Sequence, residues 1–253
     1  MQVIEEAVKR AIQQNDFEMY YQPIVEVNTH QIIGVESLFR LKDYSGGPVS
    51  AIEAIQYAES NNLIVELGQR IIDKVFRQIK DWMPFNLRIG INISIIQLND
   101  RNFIKNLRKS IDQHQINPKR ITVEITESIP FDSANTRNII GKLQEMKDMG
   151  IRIAIDDFTS EQRLTMLHCL VIQIIKLDKS IIDQLTINPY VITDIVKKCK
   201  PLNILVVAEG IETQYHLDKV RDLGCNFVQG YYLCNPLPND IISTHIKNGY
   251  III

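Results

Sequence analysis

The sequence predicts a closed barrel of strands wrapped by helices, a TIM-like (β/α)8 fold, and three observations lead to this expectation. At least seven short apolar runs lie between Ile32 and Leu233, and nearly every run is followed by a helical pattern. Strands that alternate with helices are typical of a parallel sheet, and this many units predicts closure into a barrel. The chain has 253 residues, 45% of them hydrophobic, which suits a barrel of about 250 residues as one domain over residues 1–253.

The predicted elements follow in order along the chain. Apolar residues at helical spacing predict an N-terminal helix within residues 1–15, packed on the barrel. Residues 17–27 and 31–41 predict two strands, and the short Asn-Thr-His turn between them favours antiparallel pairing. Ser50 begins a stretch of two helices that ends at Met83-Pro84. Strands are then predicted at 88–94, 121–128, 152–158, 173–178, 204–210 and 226–233, and helices at 97–114, 133–149, 162–170, 179–185, 189–200, 213–223 and 238–247.

Composition argues against several classes of protein. The formal charge is −2 with acidic and basic residues dispersed, so the basic stripe of a protein that binds polymeric nucleic acid is not expected. No apolar stretch reaches the roughly 20 residues that span a bilayer, so this domain itself is not expected to contact a membrane. The four cysteines form no C-x-x-C pair, which suits free thiols in a reducing cytosol. The expected location is the cytoplasm, either alone or as the cytoplasmic domain of a larger, membrane-anchored protein.

A polar residue interrupts each apolar run near its downstream half. A buried charge without a partner costs several kcal/mol, so one per strand is economical only if all of them meet at one end of the barrel. There they can satisfy one another and a bound metal or ligand. These residues are Glu36, Asn92, Glu124, Asp156, Lys176, Glu209 and Gln229.

The ligand chemistry of this set favours hard cations. Its potential metal ligands are oxygen donors, with no His or Cys, and oxygen ligands select Mg²⁺ or Mn²⁺ over zinc or copper. Two such ions roughly 3.5 to 4 Å apart are a usual arrangement for attack on a phosphodiester. Asp156 and the adjacent Asp157 must face opposite sides of a strand unless the strand has ended, in which case both could reach the rim.

Eight ordered motifs resemble those of EAL domains, the bacterial cyclic di-GMP phosphodiesterases. The first signature has Ser37 where the family usually has alanine. The resemblance covers almost the whole chain and implies a barrel whose first strand runs antiparallel to the others. The motifs are Y-Y-Q-P-I (20–24), V-E-S-L-F-R (35–40), N-I-S-x-x-Q-L (92–98), V-E-I-T-E-S (123–128), I-D-D-F (155–158), I-K-L-D-K-S (175–180), A-E-G-I-E-T (208–213) and V-Q-G-Y (228–231).

The resemblance also implies a role for each matching residue in the hydrolysis of cyclic di-GMP to linear pGpG. Lys176 would act on the attacking water and on the charge of the phosphoryl group, Gln229 would hold a water, and Glu127 would anchor the loop after the aspartate pair. Gln22, Arg40 and Asp178 would contact guanine or phosphate. One ion would be held by Glu36, Asn92, Glu124 and Asp156, and a second by Asp156, Asp157 and Glu209, the last residue through water.

One departure from the family pattern keeps alternatives open. After the aspartate pair, active members usually read Gly-Thr-Gly-Tyr-Ser-Ser, a loop that orders the metals and mediates dimer contact, whereas residues 159–163 read T-S-E-Q-R. Loss of both glycines removes backbone conformations with positive φ. A cyclic di-GMP receptor or protein-interaction module is therefore an alternative to the phosphodiesterase, and a homodimer is compatible with either. A third reading is an unrelated barrel enzyme, such as a Schiff-base aldolase on Lys176 or a metal-dependent enolising enzyme. Individually, Arg40 could be a surface ion pair and Asp178 a helix cap.

Overall fold

The predicted strands hydrogen-bond to one another in a closed ring in the computed structural model, which describes residues 2–82, 84–126, 134–159 and 171–248. Around the ring the order is β1, β2, β4, β5, β6, β7, β8, β9 and back to β1, while β3 extends β2 and β10 pairs with β1. The (β/α)8 prediction is therefore confirmed. The strands are β1 (Glu18–Glu26), β2 (Ile32–Lys42), β3 (Pro48–Val49), β4 (Arg88–Asn92), β5 (Ile121–Thr126), β6 (Arg152–Phe158), β7 (Ile174–Leu177), β8 (Leu205–Ala208), β9 (Phe227–Val228) and β10 (Leu237–Pro238).

Strand β1 runs antiparallel to both of its neighbours in the ring. It pairs with β2 in a register that sets Tyr20 opposite Leu38, and with β9 in one that sets Val25 opposite Val228. From β2 through β9 every pairing within the ring is parallel. The short turn between β1 and β2 causes the exception, because it leaves no room for a crossover helix.

Helices cover the outside of the ring, and their ends follow local sequence signals. The Oγ of Ser50 accepts a hydrogen bond from the backbone N of Glu53 at 3.3 Å, and Ser94 and Gln97 form a reciprocal capping box. The apolar stripe of α3 is buried against the sheet. The helices are α1 (Gln2–Gln14), α2 (Ala51–Ser60), α3 (Ile64–Ile79), α4 (Ile95–Asn99), α5 (Phe103–His114), α6 (Ala134–Asp148), α7 (Lys179–Asp183), α8 (Tyr190–Cys199), α9 (Gln214–Asp222) and α10 (Asn239–Asn248).

Two predicted elements differ from the structure. The helix expected over 97–114 is two helices, because Asp100 takes an extended conformation and Lys142 donates to the carbonyls of Leu98 and Asp100 at 2.6 and 2.8 Å. The strand expected over 226–233 is only two residues long. It ends early because the chain turns at Gly230, where a Cβ would lie 2.2 Å from the backbone N of Ile211. The predicted helix at 162–170 lies outside the described residues.

The interior of the barrel is divided along its axis. An apolar layer of four buried residues, Ile24, Ala154, Ile174 and Val207, fills its middle. Residues two apart on a strand share a face, so the position two residues beyond Ala154 also points inward, as does the position two residues beyond Ile174. Those positions are Asp156 in β6 and Lys176 in β7, which places the predicted polar residues at the carboxyl end of the strands.

No helix within the described residues is both long and apolar enough to cross a membrane. Cys199 and Cys225 are free and buried, and Cys234 is free and half-buried. Burial raises the pKa of the Cys199 thiol to about 11 and that of the Cys225 thiol to about 12. These thiols are therefore protonated and poorly nucleophilic at neutral pH.

Candidate metal centre

Four carboxylates surround one lysine at the carboxyl end of the barrel. Lys176 is 1% exposed, and each carboxylate that touches it comes from a different strand or strand end. The predicted convergence is therefore confirmed for these five residues. The distances from Lys176 Nζ are 3.1 Å to Glu36 Oε2, 2.7 Å to Glu124 Oε2, 2.9 Å to Asp156 Oδ1 and 2.7 Å to Glu209 Oε1.

The lysine cannot satisfy this cluster. An ammonium group has only three N–H donors, and hydrogen bonds to Glu36 and Glu124 use two of them, with Glu209 Oε1 at 2.7 Å facing the third. Asp156 Oδ1 is buried and lies 2.9 Å from the same ammonium, but it accepts no hydrogen bond. When all four carboxylates are ionised, one ammonium leaves three negative charges uncompensated in a site of low dielectric, which is costly without further cations.

Burial and the close approach of these carboxylates shift their pKa values from the ordinary ones. Burial raises the pKa of Glu124 well above its ordinary value, and the neighbouring carboxylates add to the rise against the opposing charge of Lys176. Burial likewise raises the pKa of Glu209 to about 8. For Glu36 the Lys176 charge and hydrogen bonds from Asn92 and Gln229 overcome burial, and its pKa is lowered.

Lys176 itself is held in the charged form. Burial alone would lower the pKa of its amine, but the four carboxylates raise that pKa well above its ordinary value. A Schiff-base enzyme needs a lysine that loses its proton readily. The aldolase reading of Lys176 is therefore wrong on physical grounds.

A β-bulge brings two consecutive aspartates to the site. In the pairing of β6 with β7, Ile155 is opposite Ile175 and Phe158 is opposite Leu177, so one extra residue is accommodated in β6. Asp157 has a φ of +51°, in the left-handed region. The strand therefore does not end at the aspartate pair. The bulge, rather than the end of the strand, turns both carboxylates towards one edge.

Amide side chains tie the carboxylates to the barrel wall. Asn92 Nδ2 donates to Glu36 Oε1 at 2.9 Å, and Gln229 Nε2 donates to Glu36 Oε2 at 2.7 Å. Gln229 also donates to Gln22 Oε1 at 3.0 Å, and its own Oε1 is buried without a partner. Gly90 provides the space for Glu124, since a Cβ there would lie 2.0 Å from Glu124 Oε1.

These residues fit two divalent ions. Oxygen atoms of Glu36, Glu124 and Asp156 lie within 4.8 Å of one another, and so do those of Asp156, Asp157 and Glu209. Asp156 belongs to both groups, as a bridging carboxylate would. Asp156 Oδ1 accepts no hydrogen bond, and a pair of hard cations would bind it and offset the excess negative charge of the cluster.

A cavity of about 400 Å³ opens beside the cluster. Its lining includes the predicted residues Gln22, Glu36, Asp178, Glu209 and Gln229. The other lining residues were not predicted as site residues, although each lies within one of the motifs at 175–180, 208–213 and 228–231, and Tyr231 is 64% exposed. Those residues are Lys179, Gly210, Glu212, Gly230 and Tyr231.

The remaining predicted residues have different outcomes. Asp178 lines the cavity and also caps α7, because its Oδ1 accepts from the backbone N of Ser180 at 2.8 Å. Arg40 does not line this cavity; it donates to the carbonyl of Phe39 at 2.9 Å and stacks over the Tyr20 ring. Glu127 lies outside the described residues, as do positions 160–163 of the altered loop.

Comparisons with known proteins agree on one family. A family model described as EAL domain matches residues 5–236 of the chain. The chain is 31% identical over 240 residues to the signaling protein YkoW of Bacillus subtilis, a match that covers 92% of this chain and 30% of the relative. It is 29% identical over 238 residues to MucR of Pseudomonas aeruginosa, a bifunctional diguanylate cyclase/cyclic di-GMP phosphodiesterase, covering 91% of this chain and 34% of that protein.

The fold is similar to that of solved structures as well. The structure of the PaMucR phosphodiesterase in its c-di-GMP complex superposes with a TM-score of 0.87 and 28% identity, covering 96% of this chain and 100% of that one. The chain spans about a third of the length of the two curated relatives. The rest of each relative has no counterpart in the sequence described above.

Proposed function

The chain belongs to the EAL domain family, and on that premise we propose that it hydrolyses one phosphodiester bond of cyclic di-GMP to give linear pGpG, with the help of divalent ions. The observation that carries the proposal is the pair of oxygen-ligand groups that share Asp156 beside a charged, buried lysine. Hydrolysis of this second messenger would lower its concentration, which makes the domain a signalling enzyme.

The two ions would be Mg²⁺ or Mn²⁺, because every ligand offered is an oxygen. Glu36, Asn92, Glu124 and Asp156 would hold one, with the Asn92 amide turned so that its oxygen faces the ion. Asp156 and Asp157 would hold the other, with Glu209 acting on it through water. When bound, the ions supply charge stabilisation at the phosphoryl oxygens and lower the pKa of an attacking water.

Lys176 would act as a permanent cation. The four surrounding carboxylates raise the pKa of its amine well above the ordinary value in the metal-free chain, and we assign it an electrostatic contribution. The ammonium is pre-positioned by carboxylates from the surrounding strands, and in this proposal it would offset the negative charge that builds up on the phosphoryl group as the water attacks. Such groups are effective because they need no reorganisation during the reaction.

Glu209 and Gln229 would act on the attacking water. Bound cations would favour the ionised form of the Glu209 carboxylate, which would then accept a proton from that water. The unpartnered Gln229 Oε1 can accept a hydrogen bond from the same water and orient it. Breakage of the bond from phosphorus to the ribose oxygen then opens the cyclic dinucleotide, and the leaving oxygen takes up a proton.

The substrate would lie in the cavity of about 400 Å³ beside the cluster. Gln22 and Asp178 line it and offer hydrogen-bonding groups to a guanine base or its phosphate. The exposed ring of Tyr231 offers a face on which a base can stack, which is worth roughly 1 to 3 kcal/mol per base. Arg40 would reach the substrate only after its side chain leaves Tyr20. Glu127 would anchor the loop that follows the aspartate pair.

The test is incubation with cyclic di-GMP and Mg²⁺ or Mn²⁺, followed by chromatography for pGpG. We expect Lys176→Ala to lower the rate by about 100-fold or more while nucleotide binding persists, because the charge acts mainly in the transition state. Lys109→Ala, at an exposed position on α5, is the matched control. Loss of binding with a normal rate per bound complex would contradict the assigned role.

A cyclic di-GMP receptor remains the second candidate, because T-S-E-Q-R at 159–163 lacks both glycines of active members. We expect hydrolysis that needs high metal, favours Mn²⁺ and increases when Gly-Thr-Gly replaces the start of this loop. Binding without pGpG at any metal concentration, in both the native chain and the restored loop, would favour the receptor. Absence of both binding and cleavage would favour a protein-interaction module.

We also propose that residues 1–253 act as one domain in the cytoplasm, without polymeric nucleic acid or membrane contact, and that a homodimer forms. Limited proteolysis tests the single domain. Sedimentation with and without cyclic di-GMP tests the dimer, and a monomer at every concentration would exclude it.

A further inference from the structure

A second polar cavity lies at the opposite end of the barrel from the carboxylate cluster. It has a volume of about 470 Å³, within the range of small-molecule sites, and lies at the amino ends of the strands. Arg88 is the first residue of β4, Arg152 is the first residue of β6, and Arg120 directly precedes β5. Because these three strands are neighbours and parallel, their first residues meet at one edge.

Two of these arginines point into the barrel. Arg152 shares a strand face with Asp156, and Arg88 shares one with Gly90, whose face is turned towards Glu124. Asp156 is four positions after Arg152 on one strand, which is roughly 13 Å at about 3.3 Å per residue. The basic cavity and the acidic site are therefore separate places in one barrel.

The cavity carries positive charge without compensation. Within the part of the chain that the structure describes, no ion pair joins a carboxylate to Arg88, Arg120 or Arg152. Lys119 adds a fourth cation to the lining. Burial, together with the charges of Arg152 and Arg120, lowers the pKa of Arg88 to about 10. Arginines crowded in this way, half-buried and unpaired, raise the free energy of the empty site.

Donor groups predominate among the side chains of the lining. Arg88 Nη1 is buried and has no hydrogen-bond partner. Asn86 uses its Oδ1 to accept from Arg120 Nη1, and Asn117 uses its Oδ1 to accept from the backbone N of Lys119 at 3.0 Å, so each amide oxygen already has a donor. A cavity lined by three guanidinium groups and one ammonium group, with one buried N–H group free, favours anions.

We propose that this cavity at the amino ends of the strands binds a small molecule that carries two or more linked phosphate groups. Three guanidinium groups can each engage phosphate oxygens in a forked pair of hydrogen bonds, and a multiply charged group uses all three. A polymer is disfavoured because the cationic groups converge on a pocket rather than form a stripe. Ile33 and Phe227 give the pocket an apolar wall on which the remainder of the ligand can pack.

Inorganic pyrophosphate is the probe, used in phosphate-free buffer after removal of divalent ions. Without those ions the carboxylate cluster repels anions, so a response reports on the basic cavity. We expect calorimetry to give one site per chain, and pyrophosphate to raise the melting temperature. The paired substitution Arg88→Gln with Arg152→Gln should raise Kd by about 100-fold or more, since the loss of one charge-assisted hydrogen bond from each arginine weakens binding by about tenfold or more.

The matched control is the pair Lys105→Gln with Lys109→Gln, which removes the same charge from the exposed face of α5. It should leave Kd within about twofold. Equal weakening in both pairs would mean diffuse attraction of anions and would overturn the proposal, as would no binding by the native chain. An acidic peptide that displaces pyrophosphate at similar concentration would reassign the cavity to a protein partner.

Stability in anion-free buffer gives an independent readout. If Arg88 and Arg152 serve a ligand, Arg152→Gln should keep or raise the melting temperature, because it relieves repulsion. If the pair is structural, the same substitution should lower the melting temperature, and that result would overturn the proposal. A nucleoside diphosphate that binds more tightly than pyrophosphate would show that the apolar wall contacts a base.

Discussion

Replacement of Glu124 by Gln tests whether the charge of this carboxylate is needed for metal binding. Glu124 is 1% exposed and belongs to the proposed ligand group of Glu36, Glu124 and Asp156. Burial raises its pKa well above the ordinary value. Without metal it therefore holds a proton readily, and a neutral amide of the same shape costs little. With metal bound, the carboxylate must be ionised, and the amide removes a full negative charge from the ligand set.

The expected size of the effect follows from mass action. An ion at about 100 times its Kd stabilises the native state by about 2.7 kcal/mol. For a domain of this size about 1 kcal/mol shifts the melting temperature by roughly 2 to 4 °C, so the native chain should gain roughly 5 to 10 °C. If the substitution weakens binding about 100-fold, the same ion concentration equals Kd, and the gain falls to about 0.4 kcal/mol, or roughly 1 °C.

The assay is thermal unfolding at pH 7.5 with Mg²⁺ and with Mn²⁺, each compared with the chelated protein. Glu145→Gln, on an exposed pair with Arg108 at 3.8 Å, is the control and should keep the whole gain. A Glu124→Gln protein that keeps the native gain would refute the metal assignment. A large loss of stability in that variant without metal would refute the reading of the raised pKa.

The other predictions concern space, protons and thiols. Gly90→Ala should abolish the metal-induced gain with little change in circular dichroism, because its Cβ would lie 2.0 Å from Glu124 Oε1; an unchanged gain would mean that the carboxylate can move aside. Burial holds the pKa of Glu209 at about 8 in the folded chain, above its ordinary 4.5, so the native state binds the proton more tightly than the unfolded state does. The stability of the metal-free protein should therefore fall as the pH rises from 4.5 to about 8. If a Glu209→Gln variant shows the same dependence of melting temperature on pH, the raised pKa does not belong to Glu209. Alkylation at pH 8, followed by peptide mass spectrometry, should label half-buried Cys234 before Cys225, whose pKa burial raises to about 12; the reverse order would be inconsistent with the packing.

The sequence was sufficient to predict the polar end of the barrel because each residue of the set is costly alone. A carboxylate such as Glu124 or a lysine such as Lys176 inside an apolar run is stable only if it is paired, and the structure pairs these two side chains at 2.7 Å. The antiparallel pairing of the first two strands was also predicted, since the short connection between them favours it. Both inferences use local information whose structural consequence is unambiguous.

Other features depend on contacts between distant parts of the chain. The bulge at Asp156 and Asp157 comes from the pairing of β6 with β7, which no local pattern encodes. The early end of β9 comes from the approach of Gly230 to the backbone of Ile211. Arg88 and Arg152 each look like an ordinary strand-initial residue, and their common cavity appears only when the strands are aligned.

Asp157, whose backbone is left-handed, is needed for the proposed activity but lowers the stability of the fold. A non-glycine residue in this conformation costs about 1 to 2 kcal/mol, and burial together with Asp156 and Asp178 raises the pKa of Asp157, so its ionised form adds a further cost. Glycine at this position would remove both costs, so the folded protein would be more stable but would lack a proposed metal ligand. Retention of aspartate in related chains would then indicate selection for the reaction. Chains freed from that selection should drift towards glycine here sooner than at Glu36, where hydrogen bonds already offset the charge.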